Sequence, residues 1–166
     1  MFSGELLPIY LNDHLAGATA GRDLAHRAAS SNEGTEFGPF LTDLAGQIDA
    51  DRAQLEDVMA RLEVATDQVK VGVFWLGEKL GRLKLNGRLL DYSPLSRMIE
   101  LEGLTAGVRG KLALWRTLAA AAPAEPRIAD IDFPQLIARA EEQLAGLDEH
   151  HARAVELMLA EDPVSR

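Results

Sequence analysis

The sequence predicts an all-α protein organised as a four-helix bundle. Three observations carry this. Four segments of matched length hold apolar residues at helical spacing. Their ends carry helix caps and breakers. No other part of the chain offers a pair of strands that could support one another.

The first helix is expected over about 6–30, where Leu7, Leu11, His14, Ala18, Gly21, Ala25 and Ala28 recur in alternating three- and four-residue steps. The stretch SSNEG, with Gly34, ends it. The second is expected over about 37–64. Its stripe is Leu41, Leu44, Ile48, Asp51, Leu55, Val58 and Leu62, a heptad seam with one polar interruption. Another helix is expected over 94–121, opened by Ser93 as N-cap and Pro94 at the first helical position. Met98, Leu101, Leu104, Val108, Leu112 and Trp115 form its stripe, and Pro123 marks its end. The last is expected over 133–161. Asp132 can cap it, Gln135 stands where a capping box needs it, and Ile131 and Leu136 have the spacing of a hydrophobic staple. Its seam is Ile137, Ala140, Leu144, Leu147, His151, Ala154 and Met158. At about 1.5 Å per residue these helices span roughly 35–42 Å each, and such matched lengths suit a bundle.

Residues 64–92 form the long connection between the second and third helices. Val69, Val73, Leu76, Leu80 and Leu83 fit a short fifth helix over 67–85, ended by Asn86-Gly87. VKVGVFWL also has the β-branched and aromatic content of a strand, but lacks a partner. A connection this long can cross the length of the bundle and leave its second and third helices parallel.

Composition narrows the function classes. The 166 residues are enough for one domain with a continuous core, and 1–166 is read as a single unit. The chain has no cysteine, which excludes disulfides, thiolate metal sites and thiol nucleophiles. A net charge of −9 opposes nucleic-acid binding. No signal peptide and no run of membrane-spanning length are seen, so the expected location is cytoplasmic. The 66–85 stretch departs from the acidic average. Trp75 lies on its apolar face, with Lys79 and Arg82 beside it. Docked on the bundle that face is core; undocked, it would engage a protein partner, a second copy in a homo-oligomer, or a membrane surface.

Three polar residues interrupt stripes that should be buried: His14, Asp51 and His151. Each needs a partner or a hydrated cavity. Asp148 precedes His151 by three positions, so both lie on one face, at the spacing of a metal-binding bundle helix. Glu102, beside the third seam, is a further candidate ligand. On the simpler reading, Asp51 pairs with Arg109 or Lys111 and each histidine bonds to a carbonyl or carboxylate. His26 and His150 lie off their helices' main stripes and are expected to be exposed.

Matched helices, the long connection and a carboxylate-xx-His on the last helix resemble the ferritin-like superfamily, in particular the small bacterial stress-associated ferritin-like proteins. The resemblance covers most of the chain through architecture and a few residues. It implies a ferritin-like bundle and metal ligands among Asp148, His151, Glu102, His14 and Asp51. The second helix, LTDLAGQIDADRAQLEDVMARL, has no histidine, so one Glu-xx-His of the di-iron pattern is absent. Pairing helix ends places Glu102 level with His151, and His14 level with Asp51, in two layers about 15 Å apart. The resulting expectation is a non-enzymatic, degenerate member with no cofactor or with a single Fe, Mn or Zn ion.

Overall fold

The computed structural model describes residues 6–66 and 92–161. The expected 67–85 helix, with Trp75, Lys79 and Arg82, lies outside the described residues. Four helices dominate: α1 (Leu6–Ser31), α2 (Gly38–Arg61), α3 (Pro94–Ala121) and α4 (Phe133–Glu161). Two single 3-10 turns, Ala122–Ala124 and Pro126–Ile128, link α3 to α4. Among the described residues there is no strand, and no helix is long and apolar enough to cross a membrane.

Local chemistry sets the helix ends. The Ser93 hydroxyl accepts from the Ser96 amide at 3.2 Å, and the Ser96 hydroxyl reaches back to the Ser93 amide. Asp132 Oδ1 accepts from the Gln135 amide at 3.0 Å at the start of α4. Gly34, at φ +76°, takes the left-handed turn after α1. The end of α2 comes earlier than its apolar stripe implies. Glu63 adopts φ +58°, its amide donates to Ala60, and the Val64 amide reaches back to Met59 at 2.9 Å. This is a Schellman stop built on a non-glycine residue. A local backbone closure thus overrides a stripe that continues to Leu62.

The four helices share one core, with Trp115, Phe37, Leu41, Leu55, Leu101 and Leu118 fully buried. Their directions follow from cross-helix contacts. Tyr10 meets Thr117 while Arg27 meets Glu100, so α1 and α3 are antiparallel. Glu36 meets Arg153 while Asp51 meets Arg139, so α2 and α4 are antiparallel as well. A short turn reverses the chain between α1 and α2, which leaves α2 parallel to α3. Arg127 donates to the Leu62 carbonyl at one end, whereas Tyr92 bonds to Asn32 at the other. The chain therefore leaves α2 and enters α3 at opposite ends of the molecule.

The buried face of α4 is rotated from the expected seam. Its centre runs through Leu136, Ala140, Gln143, Leu147 and Ala154, with Ile137 and Leu144 on the flank. His150 corrects an expectation. It is half-buried, its ring stacked 3.9 Å from Phe40 and edge-on to Phe37. Gly146 makes room for this: a Cβ there would come within 2.5 Å of the Phe40 ring. His26 is exposed, and its Nε2 is hydrogen-bonded to Asp49 at 2.8 Å.

Candidate functional site: a buried ion network beside a small-residue cavity

Asp51 lies in the middle of the α2 seam and is 2% exposed. An isolated carboxylate there would be prohibitively costly. Both of its oxygens are taken: Arg139 of α4 donates to Oδ1, and Lys111 of α3 donates to Oδ2. Gln143 adds an amide at 3.2 Å from Oδ2, reaches Gln47 at 2.9 Å, and accepts from Lys111. Five side chains from α2, α3 and α4 thus form one buried polar network. Burial pulls the Lys111 ammonium below the usual lysine range, while Asp51 opposes that fall.

Of the two partners that the sequence offers Asp51, Arg109 and Lys111, Lys111 takes the place. Sequence reasoning misses Arg139 and Gln143. Their four-residue spacing was the available signal, since it puts both on one face of α4. The signal was masked because Ile137 and Leu144, next to them on the helix, drew the seam to the wrong side.

Glu102 and His151 meet, with 3.3 Å between Oε1 and Nε2. Their side chains are 47% and 34% exposed, so this pair sits at the surface rather than in the core. Asp148 is exposed one turn earlier on α4. Glu102 stands nine residues before Lys111 on α3, about 14 Å along the helix, so the two carboxylate layers are separate. Among the described residues, no group of three or more His, Asp and Glu side chains is placed to hold a metal ion.

His14 belongs to the Asp51 layer. Both residues line a half-open cavity of about 460 Å³ between α1, α2 and α3. Ile48, Leu55, Leu104 and Val108 are buried residues in its wall. Glycines line it: Gly21 on α1 and Gly110 on α3 are half-buried, while Gly17 and Gly107 are exposed to solvent. A Cβ added at any of these four would meet nothing within 4 Å. Glycine inside a helix costs roughly 0.5–1 kcal/mol relative to alanine. The half-buried pair, Gly21 and Gly110, therefore leaves volume open rather than allowing backbones to touch. Gly103 contrasts with them, since a Cβ there would lie 3.0 Å from Leu24.

The His14 ring is half-buried and packs edge-on against Tyr10, with centroids 4.5 Å apart. Burial lowers its affinity for a proton, against a smaller opposing pull from Asp13, so the ring is neutral at pH 7. Arg52, also in the cavity wall, is held by Glu56 at 3.0 Å and donates to the Thr19 hydroxyl at 3.2 Å.

Comparison with known proteins finds no matching protein family, no matching curated protein and no matching solved structure.

Proposed function

We propose that this chain is a cytoplasmic, ferritin-like four-helix bundle that has exchanged a metal centre for an internal ion network, and that it acts by binding rather than by metal-dependent oxidation. One observation carries the reading: both carboxylate oxygens of the core aspartate, Asp51, are engaged by cations of the protein itself. A divalent ion at that position would have to displace Lys111 or Arg139 and then sit beside the displaced charge. The absence of any histidine from α2 supports the same reading.

A second reading rests on the contact between Glu102 and His151. With Asp148 nearby on α4, these residues supply imidazole and carboxylate donors suited to a single Fe, Mn or Zn ion at the surface.

The test is elemental analysis of protein purified without chelators, followed by anaerobic Fe(II) titration of the wild type and His151→Ala. Our reading expects no near-stoichiometric metal in either protein. Metal retained by the wild type and lost from His151→Ala would establish the surface site instead. Stoichiometric iron indifferent to His151, with oxidase turnover, would overturn the ion-network reading outright.

A further inference from the structure

We infer that the cavity between α1, α2 and α3 is a binding site for a small, uncharged, mostly apolar molecule that carries one hydrogen-bonding group. The inference is independent of whether any metal binds, because it rests on different atoms.

Size is the first argument. A volume of about 460 Å³ falls within the range of small-molecule sites, roughly 300–1,000 Å³. The origin of that volume is the second. Two half-buried helical glycines in the wall, Gly21 and Gly110, face open space, a stability cost that no packing contact in the described structure offsets. Charge supplies the third. Asp51 is matched by Lys111 and Arg139, and Arg52 by Glu56. No unmatched cation is left in the wall, its exposed carboxylate Asp13 disfavours an anionic ligand, and the buried apolar wall favours an apolar body.

One polar group in the wall then points to a ligand. Neither ring nitrogen of the half-buried His14 has a hydrogen-bond partner among the described residues, and the neutral ring offers one donor and one acceptor. A molecule with an apolar ring against Leu55 and Leu104 and one carbonyl or hydroxyl group would fit the wall and bond to His14.

The test uses the full chain carrying Trp75→Phe, which leaves Trp115 as the sole tryptophan. The neutral probe N-phenyl-1-naphthylamine is titrated in, with the anionic 1-anilinonaphthalene-8-sulfonate for comparison. Saturable one-to-one binding is expected, with energy transfer from Trp115. Affinity should fall about tenfold or more, some 1.4 kcal/mol, in Gly21→Leu and Gly110→Leu, with helical circular dichroism retained. Independently of these variants, the ring-proton signals of His14 should shift on binding while those of His26 stay in place. Absence of saturable binding, unchanged affinity in either folded leucine variant, tighter binding of the sulfonate, or an unmoved His14 signal would each overturn the proposal.

Discussion

Asp51, Lys111 and Arg139 show how a charge is tolerated in a helical core: each element brings one member, and the carboxylate is buried only once the cations reach it. Removing one member leaves the others uncompensated. Asp51→Ala is expected to destabilise the protein by about 3 kcal/mol in urea unfolding. The apolar pair Asp51→Leu with Lys111→Met should recover part of this loss, because it removes a buried charge along with its partner. His14 gives a second prediction at this scale. Its folded form takes up a proton below the ordinary value of 6.5, through burial, whereas the unfolded ring does so near 6.5. Between those two points the unfolded chain holds more protons, so stability falls as pH drops through 6.5. His14→Gln should flatten that part of the stability–pH profile, measured by urea melts from pH 8 to pH 5, and leave the slope above pH 7 unchanged.

The ends of helices decide how each element meets the next. Asn32, fully buried after α1, donates to the Ala28 carbonyl at 2.8 Å and to the Tyr92 hydroxyl at 2.7 Å, and accepts from Arg97 at 2.6 Å. Tyr92 donates in turn to Glu100 at 2.8 Å; burial and that carboxylate push its phenol above the ordinary tyrosine value. Asn32→Ala orphans several buried groups at once and is expected to cost about 1–3 kcal/mol in thermal or urea unfolding. Glu63 should behave in the opposite sense. It holds a left-handed conformation that suits glycine, and its carboxylate is well exposed, 3.6 Å from Arg127. Glu63→Gly is therefore expected to stabilise by about 1 kcal/mol, read from the urea midpoint at constant slope. Both effects arise from backbone geometry that the apolar stripes do not encode. That is why the α1 stop at SSNEG was legible through Gly34, while the α2 stop at Arg61, built on a glutamate, was placed three residues late.

At the scale of the molecule, the arrangement of helices is set by which ends meet. Glu36 of the α1–α2 turn pairs with Arg153 near the end of α4, and Arg61 at the end of α2 pairs with Asp130 before α4 begins. A chain without cysteines makes this arrangement simple to check. Glu36→Cys with Arg153→Cys should cross-link readily with a short bis-maleimide, and Glu36→Cys with Glu141→Cys should not. The reverse pattern would mean that α2 and α4 run parallel. The sequence by itself determined the helical class, the capped starts of α3 and α4, and the two separate layers in which His14 lies with Asp51 and Glu102 with His151. These follow from periodicity, capping chemistry and the fixed rise per residue, all of which are local. Only the tertiary structure decided that Asp51 is neutralised by Lys111 and Arg139, that the buried face of α4 passes through Gln143, and that glycines of α1 and α3 line a half-open cavity. Each of these depends on the rotation of one helix about its axis relative to another. A single residue's shift turns a helix by about 100°, and that choice is made by side chains distant in the chain.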